Sequence, residues 1–149
     1  MPAEKGLIKV ETLKENLRKV KDSQAPKTTV FEIENANSLG RVYPLDDFYE
    51  LTSIAKKEGL HVHMDGGRMF YACDYYKIEA KELLKNVDSV MFCLSKGLSA
   101  PSGSIVAGTK DFISKFRYFR KMLGGNMRKP GILAGPALLS LTKMREVVS

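Results

Sequence analysis

Three short segments hold residues whose types can do chemistry together. Glu34 to Asn37 offers a carboxylate and amides, Asp65 to Arg68 a carboxylate and a guanidinium, and Ser95 to Leu98 a hydroxyl and the amine of Lys96. A lysine at the end of a buried strand can have its amine partly withdrawn from water, which lowers its pKa and makes it a Schiff-base former. A carboxylate facing the same crevice can hold the proton of a ring nitrogen, and an arginine fork suits a substrate carboxylate. In open α/β sheets ligands sit outside the carboxyl ends of parallel strands. Each segment follows a strand-like stretch, so that rule gathers all three on one edge.

The elements that must position these residues are legible in the patterning. Thr12-Leu13-Lys14-Glu15 has the form of a capping box, and Val10, Leu13, Leu17 and Val20 share a stripe, which predicts a first short helix. Residues 21–27, with Pro26, form a connector. Thr28 to Ile33 is rich in β-branched and aromatic residues and leads into the polar run Glu34 to Gly40, a strand followed by a loop. Pro44 opens a second helix, with Leu45, Phe48, Leu51, Ile54 and Ala55 on its apolar side and Gly59 beyond its end. Leu60 to Asp65 alternates, so that Leu60, Val62 and Met64 point one way and His61, His63 and Asp65 the other.

A small helical region around Tyr71, Ala72 and Tyr75 follows, then a short helix near Glu79 to Lys85. Val87 to Leu94 is nearly all apolar, as a central strand of a covered parallel sheet should be. Ser104 to Gly108 is a further strand. Only about nine residues join these two, whereas a parallel crossover needs about a dozen or more, so the last strand is predicted to run antiparallel. Helices over about 111–123 and about 130–144 complete an α/β layer structure with a mixed sheet.

Composition bounds the remainder. With 149 residues and 44% hydrophobic content the chain fits one globular domain. Its longest apolar runs, such as Ile132 to Leu141, are broken by Gly135 and Pro136 and fall short of the roughly 20 residues of a membrane span. The N-terminus has no basic region followed by an apolar stretch, so a soluble, cytoplasmic protein is expected. Cys73 and Cys93 are isolated and read as reduced thiols. The net charge of +7 raises the question of nucleic acid. Yet Phe112, Phe116, Phe119 and Leu123 recur at helical spacing among Lys110, Lys115, Arg117, Arg120 and Lys121, so these cations read as the solvated face of an amphipathic helix. No nucleic-acid partner is expected.

The central motifs carry a resemblance. His63-Met64-Asp65-Gly66-Gly67-Arg68, Asp88-Ser89-Val90, Cys93 to Pro101 followed by Gly103-Ser104, Arg120 to Arg128 and Gly131 to Ala134 stand in the order and spacing of the low-specificity threonine aldolases. These belong to the aldolase and aromatic β-eliminating lyase group of fold-type I pyridoxal-phosphate enzymes. Glu34-Asn35 and Gly40-Arg41-Val42-Tyr43-Pro44 also sit where that family has similar residues, so the resemblance covers most of the chain from about Thr28.

The resemblance implies a three-layer αβα large domain of the pyridoxal-phosphate-dependent transferase type, with a mostly parallel sheet and one antiparallel strand. It implies that residues 1–149 are a partial large domain, without the family's N-terminal phosphate-loop segment and C-terminal small domain. It implies pyridoxal 5'-phosphate as cofactor, held covalently by Lys96, with Asp65 on the ring nitrogen, His63 facing the cofactor, Ser95 near its phosphate and Arg128 near a phosphate across a subunit interface. Arg68 would help hold the substrate carboxylate. The implied reaction splits a β-hydroxy-α-amino acid such as L-threonine or allo-threonine into glycine and an aldehyde, in a homo-oligomer, dimer or tetramer, with the 149 residues alone inactive. Three departures stand out: Gly67 replaces the usual alanine, Asn126 a glycine, and Lys129-Pro130 a glutamine–alanine type of pair.

Other readings use the same residues. β-Elimination needs the same lysine, aspartate and arginine. His61, His63 and Asp65 have the spacing of a strand-end metal site, but they are the only histidines and no further carboxylate cluster joins them, so no metal is expected. Lys96 precedes its Ser/Gly stretch, which does not fit a Walker loop. A non-catalytic interaction module that keeps the sheet is the alternative of another class.

Overall fold

In the computed structural model the described residues are 1, 3–17 and 26–144. They form a four-stranded sheet in the order β1 (Val30–Glu34), β2 (His61–Asp65), β3 (Ser89–Cys93), β4 (Ser104–Gly108). β1, β2 and β3 are parallel, and β4 runs antiparallel to β3 as its short connection requires. The helices are α1 (Val10–Asn16), α2 (Leu45–Lys57), α3 (Met69–Tyr76), α4 (Ala80–Leu83), α5 (Lys110–Met122) and α6 (Gly131–Leu139), the last running into a π-helical stretch at Ser140–Met144.

Alternation in the strands decides the layers. Phe31 and Ile33 of β1, Val62 and Met64 of β2 and Val90 of β3 are all buried, against Phe48, Leu51 and Ala55 of α2, Met69 and Ala72 of α3 and Leu83 of α4. The opposite face carries Glu32, Glu34, His61, His63, Asp65 and Ser89, whose Cα atoms pair across the strands. On that face the first turn of α5 supplies the third layer, because the Phe112 ring stacks on His61 with centroids 5.5 Å apart. The αβα architecture expected from the sequence is therefore present, with its second helical layer represented by α5.

α2 ends as its sequence demands. Gly59 takes φ +73°, which glycine adopts without strain. The turn lets Leu60 N–H donate to the Ala55 carbonyl at 3.0 Å and hands the chain into β2. Two expectations differ at the front of the chain. α1 begins at Val10 behind an extended Lys9, with no side-chain cap, so Thr12 lies inside the helix and its capping box does not form. β1 also starts two residues later than the composition suggested and takes in Glu34. Val20 and most of the predicted connector, residues 21–25, lie outside the described residues.

α5 meets its amphipathic pattern only in part. Thr109 caps it by accepting the Phe112 N–H at 3.3 Å. Phe112 and Phe116 are half-buried, but Phe119 and Leu123 are exposed, as are Met122 and Met127 nearby and Ile132 and Leu138 on α6. Among the described residues no helix is long and apolar enough to cross a membrane.

Candidate active site

The parallel strands end side by side at Glu34, Asp65 and Cys93, and Glu34 and Asp65 are register partners. Past Asp65 the backbone turns hard against β3: Gly66 N–H donates to the Met91 carbonyl at 2.7 Å. Only a glycine fits this approach, since a β-carbon there would lie 2.8 Å from the Met91 oxygen and 3.0 Å from Val90 Cγ2.

Gly67 is the point on which the chemistry converges. Its N–H donates to Asp65 Oδ1 at 2.9 Å, which turns that carboxylate over its own loop. A β-carbon on Gly67 would lie 3.0 Å from Lys96 Nζ, 3.2 Å from Asp65 Oδ1 and 3.6 Å from Cys93 Sγ. An amine and a carboxylate from two different strand ends thus flank one small gap.

The loop that carries Lys96 is tied at both ends. Leu94 N–H donates to Gly103 O, Ala100 N–H to Leu94 O and Ser99 N–H to Lys96 O, each at 2.9 Å. Leu94 and Leu98 are buried beneath it. Gly97 sits against the ring of Tyr71 from α3, where a β-carbon would come within 3.0 Å of Cζ. Lys96 itself is exposed. The expectation that its strand end withdraws the residue from water is not met among the described residues.

Arg68 stands at the entrance to α3 and gives Nη1 to Glu34 Oε1 at 3.2 Å. His63 lies deeper on the same face, with Nδ1 2.7 Å from Ser89 Oγ. Asp65, Lys96, Arg68 and His63 are thus brought to one edge and face of the sheet. Ser95 is on the Lys96 loop but exposed. Arg128 is exposed in the connection between α5 and α6, and no polar contact among the described residues ties it to Asp65, Arg68 or Lys96. No group of three or more His, Cys, Asp or Glu among the described residues is placed to hold a metal ion.

Two participants were not singled out from the sequence. Ser89 bridges His61 and His63, a role that strand parity would have indicated once β2 and β3 were aligned. Asn35 is fully buried behind β1 and donates to the Tyr76 hydroxyl at 3.1 Å, while its own side-chain oxygen has no partner among the described residues. Burial outweighs the Asn35 hydrogen bond and raises the pKa of Tyr76 above the usual phenol value.

The whole chain, residues 1–149, matches the family model described as beta-eliminating lyase. The chain belongs to the beta-eliminating lyase family. Among curated relatives, a low-specificity L-threonine aldolase of Arabidopsis thaliana is 40% identical over 141 residues, covering 93% of this chain and 39% of that protein. The low specificity L-threonine aldolase of Escherichia coli K12 is 38% identical over 120 residues, covering 80% of this chain and 36% of its own length. The solved threonine aldolase of Leishmania major aligns with TM-score 0.80 at 17% identity over 99% of this chain and 44% of that one, a likeness of fold. The chain therefore spans less than half the length of each of these relatives.

Proposed function

We propose that this chain is the central part of the large domain of a pyridoxal-phosphate-dependent lyase of the threonine aldolase type, cleaving β-hydroxy-α-amino acids to glycine and an aldehyde. The observation that carries the reading is the convergence of Lys96 Nζ and Asp65 Oδ1 on Gly67. An amine able to bond a carbonyl carbon and a carboxylate able to hold a ring-nitrogen proton, set on neighbouring strand ends, are the donor set this cofactor needs. When bound, the cofactor supplies an electron sink for the pair released as a bond to the substrate Cα breaks.

The side chains divide the remaining work. Lys96 would hold the cofactor through its amine and yield that place to the substrate amine. Asp65, fixed by the Gly67 N–H, keeps the ring nitrogen protonated by placing an opposite charge beside it. Arg68, braced by Glu34, offers the rest of its fork to the substrate carboxylate. His63 lines the floor, and Ser95 and Arg128 serve the phosphate, Arg128 in the neighbouring subunit's site. That assignment fits the exposure of Arg128.

A homo-oligomer in the cytoplasm completes the reading. The exposed apolar side chains Phe119, Met122, Leu123, Ile132 and Leu138 support the oligomer, since large apolar side chains left exposed in numbers offer surface for another subunit to cover. The second reading, β-elimination on the same residues, is favoured by the description of the matching family model.

Incubation with pyridoxal phosphate, borohydride reduction and peptide mapping tests the assignment. The adduct is expected on Lys96 and is lost in Lys96→Ala; an adduct spread over other lysines, or none in the longer parent enzyme, sinks it. Side-by-side assays of that parent with L-threonine, allo-threonine and an aromatic amino acid separate aldol cleavage from elimination.

A further inference from the structure

Ser89 is 2% exposed at the start of β3, and its hydroxyl meets two imidazoles, His61 Nε2 at 2.9 Å and His63 Nδ1 at 2.7 Å. A hydroxyl has one proton to give and lone pairs to accept with. Between two neutral rings it donates to one and accepts from the other, so the tautomers of His61 and His63 are coupled through it.

The direction of the chain is set at its far end. His61 Nδ1 lies 3.9 Å from Asp88 Oδ2. Burial pushes the Asp88 carboxyl up, but hydrogen bonds from Lys56 and the Val62 N–H, with the charges of Lys56 and His61, outweigh it and hold the group below the usual carboxylate value. A carboxylate favours the proton on the ring nitrogen facing it. Neutral His61 therefore carries its proton on Nδ1 and accepts the Ser89 O–H at Nε2. Ser89 Oγ in turn accepts from His63 Nδ1–H, and the lone pair of His63 is left on Nε2. The stacked Phe112 covers the His61 ring. The other ionisable groups of this face, Glu32 in register with His63 and Asp65 two residues on, make no hydrogen bond to either ring among the described residues.

We propose that Ser89 is a positioning residue that locks His63 in the Nδ1–H tautomer, presenting Nε2 as a proton-accepting nitrogen on the face that carries Asp65. The tautomer stands independently of the cofactor; its service to a bound cofactor or substrate rests on the pyridoxal-phosphate reading. An unconstrained neutral histidine prefers the Nε2–H form, so the expected state is the reverse of the default.

Two-bond proton–nitrogen correlation spectra of the 15N-labelled chain without cofactor, above the imidazole titration, decide it. His63 should show a protonated-type shift at Nδ1 and an unprotonated-type shift at Nε2, with His61 likewise protonated at Nδ1. Ser89→Ala should move His63 toward the Nε2–H pattern, and Ser89→Thr, which keeps the hydroxyl, should retain the wild-type one. A wild-type His63 protonated at Nε2 overturns the proposal and needs no variant to be folded. An unchanged His63 pattern in folded Ser89→Ala overturns it as well. Failure of the borohydride labelling with the Nδ1–H tautomer present would instead count against the cofactor reading alone.

Discussion

The guanidinium of Arg68 reaches across the carboxyl ends of β1 and β2 to the carboxylate of Glu34, Nη1 to Oε1 3.2 Å. Both side chains are about a third exposed, and pairs in that setting contribute roughly 0 to 1 kcal/mol to stability. The pair therefore acts on where the fork points more than on whether the domain folds. Glu34→Gln is expected to change unfolding free energy by less than about 1 kcal/mol. In the enzyme of which we propose this chain is the central part, it should raise KM for the amino acid on the order of fivefold, equivalent to about 1 kcal/mol, with kcat nearly unchanged. Arg68→Ala should raise KM by on the order of 10- to 100-fold, and Arg68→Lys should restore only part of it because the ammonium lacks the planar fork. A fall in KM for Glu34→Gln would mean that Glu34 competes with substrate and would refute the bracing role.

Gly66 and Gly67 are neighbours with opposite expected responses to alanine. At Gly66 a β-carbon would meet the Met91 carbonyl oxygen at 2.8 Å, which is backbone and cannot swing away. Gly66→Ala should therefore cost on the order of 1 to 3 kcal/mol. At Gly67 the nearest atom is the tip of Lys96 at 3.0 Å, which can shift by a few tenths of an ångström. Restricting the unfolded chain offsets that strain, so Gly67→Ala should stay within about 1 kcal/mol of the parent and keep Lys96 as the labelled lysine. Urea melts of the two variants give the comparison; equal destabilisation would contradict the geometry.

Much of this site was legible because strand alternation and connection length are local properties. The period of two placed His61, His63 and Asp65 on one face, and the ten residues between β3 and β4 are too few for a parallel return. The partnerships of Ser89 with the histidines and of Arg68 with Glu34 were not legible, because each spans two strands and register is settled only on folding. The capping box failed for the opposite reason: its local signal was present, but the extended Lys9 starts the helix two residues before Thr12. On α5 the apolar stripe is real, yet periodicity does not reveal which of its turns is covered, and Phe119 and Leu123 stay exposed. Lys96 differs for a related reason, since its strand position suggested a withdrawn amine and the residue is exposed.

Asp88 ties three elements together, accepting from Lys56 of α2 and from the Val62 N–H of β2 just before β3 begins. Its pKa is lowered on folding, so the carboxylate form stabilises the native state. That contribution is complete above the unfolded carboxyl value of 3.8 and is lost as pH falls from there through the folded value. Asp88→Asn should cost about 1 kcal/mol or somewhat more at neutral pH, the usual scale for losing a charge-assisted hydrogen bond. The gap between variant and parent should close as the pH is lowered through the acid limb. Denaturant midpoints taken across that limb check the sign, and a gap that widens toward low pH would contradict it.

The exposure of Lys96 also bears on turnover by residues 1–149 alone. Lys96, Ser95 and Arg128 are all exposed, and the groups that converge on Gly67 grip only the amine-bonding and ring-nitrogen ends of the proposed cofactor. Positioning of reacting groups is worth up to roughly 7 to 11 kcal/mol in well-oriented systems, and a site gripping one end of its cofactor forfeits a large share of that. The 149-residue chain is therefore expected to form the Lys96 adduct yet release aldehyde from L-threonine at least about 1000-fold more slowly than a full-length relative such as the Escherichia coli low specificity L-threonine aldolase, about 4 kcal/mol of lost positioning. A coupled aldehyde assay on both proteins at saturating pyridoxal phosphate measures the ratio. Comparable rates would show that the residues gathered at Gly67 suffice for catalysis and that the remaining contacts contribute little.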